Sequence, residues 1–198
     1  MSTIKLYDFS ISGNCYKVRL LLSMVGVYYQ SIEVDLGGGE NLTDEFMEIN
    51  SRAQVPVLVD GDTKVWDSMA ILTYVARQYG EEKWLPQDTN ELVNVMQWLA
   101  VSENELLYGL ARARATLVFK RPFNLQQCQD EGQAGLDVMD QHLAENKWLA
   151  TDNATIADIA CYPYISLASE GEVSLDRYEN VLRWMKDFEA LPGWVPIS

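Results

Sequence analysis

Residues 4–36 read IKLYDFSISGNCYKVRLLLSMVGVYYQSIEVDL, and the change of period inside this stretch decides the fold. Ile4 and Leu6, with the segment up to Phe9, alternate as a strand does. Val18, Leu21, Leu22 and Val25 then recur at helical spacing, and Gly26 stands where a left-handed cap ends a helix. Ile32, Val34 and Leu36 alternate again with Ser31, Glu33 and Asp35, which predicts a second strand, and the Gly37-Gly38-Gly39 run predicts a loop after it. Strand, helix and strand in this order are the mark of a layered α/β unit.

Working outward, Thr43–Asn50 reads as a short helix. Val55–Val59 and Lys64–Trp66 flank Asp60-Gly61, a hairpin signal. Ser68–Tyr79 presents Ile71, Leu72, Val75 and Tyr79 on one face and ends at Gly80. The first 80 residues or so therefore run β-α-β-α-β-β-α. Residues 82–89 contain Pro86 and have linker composition, and beyond them the period is helical. Leu92, Val95, Met96, Leu99, Leu106, Leu107 and Leu110 predict one long helix, followed by helices over Leu125–Leu143, Ile156–Leu167 and Val181–Phe188. Thr155 with Asp158 forms a capping box ahead of Ile159. The expected organisation is an α/β domain over 1–81, a linker over 82–89 and an all-helical domain over 90–198.

Composition excludes several classes. The chain has 198 residues, 48% apolar and 22% charged, as soluble globular proteins do. Fifteen basic against 29 acidic residues leave a net charge of −14, which repels a polyanion, so no nucleic-acid partner is expected. No apolar run approaches the roughly 20 residues that span a bilayer, and MSTIKLYDF lacks a charged-then-apolar leader pattern. A cytoplasmic protein without a membrane partner is expected. Cys15, Cys128 and Cys161 are odd in number and lack CxxC spacing, which argues against a disulfide framework or a zinc site. His142 is the single histidine, so a multi-histidine metal site is impossible and a Ser-His-Asp triad would have to include it. On its polar helix face it reads as a solvated residue, and the six tryptophans read as packing residues.

Four anchors, in order along the chain, carry a family resemblance: Ser12-Gly13-Asn14-Cys15-Tyr16-Lys17-Val18-Arg19, the run NSRAQVPVL over 50–58, Asp67-Ser68, and the Thr155–Asp158 cap. Over essentially its whole length the chain resembles the cytosolic glutathione transferases, most closely the serine-type members (theta, phi or nu-like). The resemblance implies a thioredoxin-like N-terminal domain and an all-helical C-terminal domain. It also implies glutathione as co-substrate, no metal, a small electrophile as second substrate, a role in detoxification and a two-fold homodimer.

In serine-type members the hydroxyl at the position of Ser12 donates to the glutathione sulfur. A hydrogen bond to an ionised partner contributes ~1.5–3 kcal/mol and a helix terminus ~0.3–1 kcal/mol, while one pKa unit is ~1.36 kcal/mol. Together they allow a thiol pKa lowered by roughly one to three units, enough for a substantial thiolate fraction at neutral pH. Ser10 and Asn14 are alternatives if the loop slips by two residues. Cys15 is a further one, since a cysteine at a helix N-terminus can itself be a nucleophile, although its place one turn in points it inward. Tyr7 ranks below Ser12.

The resemblance assigns the peptide part of glutathione to Phe9, Gln54, Val55 and Pro56, with a cis Val55-Pro56 bond turning backbone groups toward the cysteinyl residue. Asp67 would meet the ammonium and Ser68, at a helix start, the γ-glutamyl carboxylate. Glu40, Asn41 and Arg52 are candidates at the glycyl end. Ile11, Leu107, Tyr108, Ala111 and Arg112 would line the electrophile pocket between the domains, at most one of Arg112 and Arg114 facing it. Glutathione-dependent isomerase, dehalogenase or thiol reductase activities, or a non-catalytic binding module, are the competing expectations.

Overall fold

The computed structural model describes residues 3–197; residues 1, 2 and 198 of the expected domains lie outside the described residues. The chain divides into two compact units, Met1–Glu81 with Pro192–Ser198, and Glu82–Leu191.

In the first unit, β1 (Ile4–Asp8), α1 (Gly13–Met24), β2 (Tyr29–Glu33), α2 (Asp44–Met47), β3 (Val57–Asp60), β4 (Thr63–Trp66) and α3 (Ser68–Gln78) follow the expected order. The sheet order is β2-β1-β3-β4, with β1 and β2 parallel and the other pairs antiparallel. Parallel β1 and β2 need a crossover, which α1 supplies. Gly26 has φ +68°, as the capping argument requires, and Gly61 has φ +59° in the hairpin turn.

The second strand lies earlier than its alternation predicts. Tyr29 pairs with Ile4 and Glu33 with Asp8, so pairing ends before Val34. Val34 and Leu36 instead turn into a cluster with Phe46, Val57, Ile49, Val55 and Tyr7. Val34 N–H still donates to Asp8 O at 2.9 Å, the last bond to β1, and beyond it the period of two reports burial in that cluster. The helix expected over 43–50 is only four residues long, capped by the Thr43 hydroxyl, because Asn50 is given to the next loop. The last segment returns to this unit, with Tyr16 Oη donating to Val195 O at 2.6 Å.

The second unit holds α4 (Thr89–Val101), a π-helical segment (Ser102–Ala111), α5 (Arg112–Val118), α6 (Leu125–Leu143), α7 (Ile156–Ser166) and α8 (Glu179–Glu189). The long helix of the sequence reading is thus one helical run over 89–118 whose middle widens to π geometry, a change that apolar spacing does not report. A Cβ on Gly109 would stand 2.2 Å from Gly132 N, so two glycines let this run and α6 approach backbone to backbone. The capping box is present, with Asp158 fully buried. Its carboxylate accepts from Thr155 N at 2.9 Å, Leu149 N at 3.1 Å and Trp184 Nε1 at 2.8 Å. Burial pushes this carboxyl above the usual range, while these three donors and the Thr155 hydroxyl at 3.4 Å pull it back.

His142 departs from expectation. It is half-buried and stacked on Trp98 at 4.8 Å between ring centroids, and its Nε2 is buried without a partner among the described residues. It lines a cavity of about 550 Å³ together with Asn94, Gln97 and Glu145. Trp66 is also no packing residue, being 42% exposed under the Arg52 guanidinium at 5.5 Å.

Candidate active site

Strand register brings three loops of the first unit to one end of the sheet. Tyr7 pairs with Val57 and Val57 with Trp66, so the chain leaving β1, the chain entering β3 and the chain leaving β4 emerge side by side. These segments carry Ser12, Val55-Pro56 and Asp67-Ser68.

Ser12 is the N-cap of α1, in extended conformation at φ −79° and ψ 124°. Its Oγ accepts from Cys15 N at 3.3 Å, and its N–H donates to Phe9 O at 2.8 Å. The hydroxyl therefore keeps its own hydrogen for donation.

The alternatives to Ser12 are placed differently. Ser10 is committed: its N–H and Oγ donate to the Glu33 carboxylate at 3.0 and 3.2 Å, and its carbonyl accepts from Arg19 Nη2 at 2.6 Å. Cys15 is 0% exposed, and burial first, then the Asp8 carboxylate, push its thiol up to about 12. It is thus a neutral packing thiol at neutral pH. Asn14 is half-buried with Oδ1 unpartnered among the described residues, which leaves it able to serve a ligand. Tyr7 packs edge-on against Phe46 at 6.0 Å, and Phe9 is half-buried in the turn before Ser12.

The Val55-Pro56 bond is cis. Gln54 is exposed, Val55 half-buried and Pro56 buried. Asn50, 2% exposed, holds this loop by donating from Nδ2 to Gln54 O at 2.7 Å and accepting from Arg52 N at 3.0 Å. Asn41 Nδ2 donates to Ala53 O at 2.8 Å, and Glu40 accepts from Asp35 N at 2.7 Å, so both glycyl-end candidates are engaged in loop structure.

Asp67 occupies the left-handed region at φ +77° and caps α3, accepting from Met69 N at 3.0 Å; its other oxygen faces Arg52 Nη1 at 3.4 Å. Ser68 is 3% exposed. With the Met69 N–H used by the cap, helix geometry leaves the Ser68 and Ala70 N–H groups for an anion. A carboxylate beside such donors suits a ligand bearing both an ammonium and a carboxylate.

In the second unit, Tyr108 and Arg112 line a cavity of about 360 Å³ with Asn104, Glu105, Glu131 and Ala134. The Arg112 guanidinium lies 4.0 Å from the Tyr108 ring centroid and 4.9 Å from that of Phe123. Arg114 points elsewhere, to Glu170 at 2.7 Å. Leu107 and Ala111 are half-buried on the π segment, and Ile11 of the first unit is 39% exposed. No group of three His, Cys, Asp or Glu side chains able to hold a metal occurs among the described residues, and no helix is long and apolar enough to cross a membrane.

Sequence reasoning missed the Asp8–Arg19 pair, which lies 2.6 Å apart, and Asn50. The signal for Asp8 was present, since it continues the inward phase of Ile4 and Leu6.

Comparison with known proteins finds matches to both units of the chain. Residues 2–77 match the model of the glutathione S-transferase N-terminal domain, and residues 113–192 that of the C-terminal domain. Glutathione S-transferase D6 of Drosophila melanogaster is 29% identical, the match covering 96% of this chain and 89% of that protein. Disulfide-bond oxidoreductase YfcG of Escherichia coli is also 29% identical, over 96% and 92%. A crystal structure of a glutathione S-transferase from Pseudomonas fluorescens superimposes with a TM-score of 0.93 at 32% identity, covering 99% of each chain. Both units, the four-stranded sheet with its helices and the helical second unit, are matched in this way, and the chain belongs to the glutathione S-transferase family.

Proposed function

We propose that this glutathione transferase ionises glutathione through Ser12 and adds the thiolate to a small hydrophobic electrophile. The observation that carries the reading is the meeting of the Ser12 cap, the Val55-Pro56 backbone and the Asp67-Ser68 helix start at one end of the sheet. Glutathione lies extended across these segments. Its γ-glutamyl carboxylate takes the Ser68 and Ala70 N–H groups, its ammonium takes Asp67, and its cysteinyl amide pairs with Val55. Phe9 and Gln54 flank it. The thiol proton leaves to solvent, and the Ser12 hydroxyl and the α1 N-terminus hold the resulting thiolate. The sulfur lone pair then forms a C–S bond with the electrophile, and the leaving group departs with the bonding electron pair. Tyr108 and Arg112 contact that electrophile, where the guanidinium favours an acidic substituent or a departing anion.

A second reading, a glutathione-dependent thiol reductase, draws on the likeness to YfcG. The buried Cys15 thiol, held protonated by burial, weighs against a version using that residue as nucleophile. In keeping with the family, we assign the protein to the cytoplasm, to homodimers and to detoxification, with residues 1–81 as the glutathione-binding domain and 90–198 as the helical domain. Calorimetric titration with glutathione, combined with thiolate absorbance from pH 5 to 9, tests the function. Micromolar-to-millimolar binding with a lowered thiol pKa supports it, and absence of binding overturns it.

A further inference from the structure

We infer that Arg19 is a positioning residue for Ser12, acting through a buried clamp with Asp8 on the loop that joins β1 to α1; the inference rests on the Ser12 reading above. The two side chains are 12% and 4% exposed and 2.6 Å apart. Asp8 Oδ1 accepts from Arg19 Nη1 at 2.6 Å and from Phe9 N at 2.8 Å, while Oδ2 accepts from Ser31 Oγ at 3.3 Å. The other prong of Arg19, Nη2, donates to Ser10 O at 2.6 Å. From the opposite side Glu33 takes the Ser10 N–H at 3.0 Å. Ser10 is therefore pinned through both its carbonyl and its amide, and Phe9 O accepts the Ser12 N–H at 2.8 Å. The polar backbone groups of the turn are thereby paired in series, and Ser12 Oγ inherits its direction from Arg19.

The chemistry explains why an arginine stands here. A planar guanidinium reaches a carboxylate and a carbonyl with two separate N–H groups, whereas a lysine ammonium would have to choose between them. Asp8 neutralises the buried cation and also ties the loop at Phe9. Its neighbours from the packed elements are Arg19 and Cys15 on α1 and Tyr29 and Ser31 on β2, while Glu33 on β2 holds Ser10. Arg19 is the cation this cluster holds against Asp8.

The test is Arg19→Lys, alone and combined with Ser12→Ala, with bound glutathione followed by calorimetry and by thiolate absorbance against pH. Expected for Arg19→Lys is a bound-thiol pKa raised by about one unit and kcat reduced about tenfold, with glutathione affinity within about twofold of the parent. In the Ser12→Ala background the same change should have no further effect on the thiol. An unchanged thiol pKa in Arg19→Lys overturns the inference, and so does an equal shift with and without Ser12, which would make Arg19 a field effect. If Ser12→Ala alone leaves the thiol pKa where it was, the Ser12 reading itself fails, and that result is separate. Should Arg19→Lys not fold, Asp8→Leu/Arg19→Met, which orphans no buried charge, carries the same comparison.

Discussion

Ser12 Oγ accepts the Cys15 amide hydrogen at 3.3 Å, so the hydroxyl that closes the first turn of α1 is the same one to which the proposed function assigns the ligand sulfur. Replacing Ser12 by Ala should therefore have two separable effects. Loss of the cap costs about 1 kcal/mol, or roughly 2–4 °C in Tm for a chain of this size. Loss of the donor removes ~1.5–3 kcal/mol from the thiolate, raising the bound-thiol pKa by about one to two units and slowing turnover at pH 6.5 by roughly 10–100-fold. Ser12→Thr should retain most of both. Were Asn14→Ala to move the thiol pKa while Ser12→Ala did not, the donor would be the Asn14 amide.

Cys15 gives a prediction with a defined sign. Its thiol is pushed from the ordinary 9.0 to about 12, so the native state favours the protonated form. Its contribution to stability is complete below pH 9 and is lost as the pH rises from 9 toward 12, by up to about 1.4 kcal/mol per unit. Denaturant unfolding from pH 8 to 11 should show the parent losing stability faster than Cys15→Ala. Cys15 should also resist alkylation in the folded protein at pH 8, and Cys15→Ala should keep glutathione turnover. Loss of turnover in that variant would revive the thiol-reductase reading.

Asp67 combines a capping bond with a charge, and Asn separates them. Asparagine tolerates the left-handed conformation at φ +77° and still offers an oxygen to Met69 N. Asp67→Asn should thus leave Tm nearly unchanged while weakening glutathione binding about tenfold or more, the magnitude of a charge-assisted hydrogen bond. Glutathione lacking its α-amino group is the control. It should bind parent and variant alike, and an equal loss with both ligands would mean that Asp67 does not meet the ammonium.

The element order was legible because periodicity and turn chemistry agreed at each step: Gly26 stops α1, Asp60-Gly61 turns the hairpin, and Thr155 starts α7. What escaped was decided by long-range pairing. Register with β1 ended the second strand at Glu33, while Val34 and Leu36 kept alternating for the sake of a different cluster. The π segment escaped because Leu106 and Leu110 have the same spacing in either helix. Candidate site residues were named from short motifs, and Asp8 could be read from the inward phase of Ile4 and Leu6, but Arg19 and Asn50, which also hold the loops, are recognisable only once burial is known. His142 escaped for the same reason, its stacking partner Trp98 being 44 positions away.

The capping box at α7 supports the sharpest stability prediction. Three N–H donors converge on the two oxygens of Asp158, and every one is within 3.1 Å. An asparagine there keeps one oxygen and turns its NH₂ toward a donor, so at least one buried N–H loses its acceptor and meets another donor. The carboxylate also joins elements far apart in sequence, the loop at Leu149, the start of α7 and Trp184 of α8, so the loss is not confined to one helix end. Asp158→Asn should therefore cost about 2–4 kcal/mol, or roughly 5–15 °C in Tm. Thr155→Ala, which removes the cap hydroxyl and its long 3.4 Å bond to Asp158 but leaves the three N–H donors in place, should cost only about 1 kcal/mol. Equal losses in the two variants would mean that Asp158 serves the helix cap alone and not the junction with Trp184.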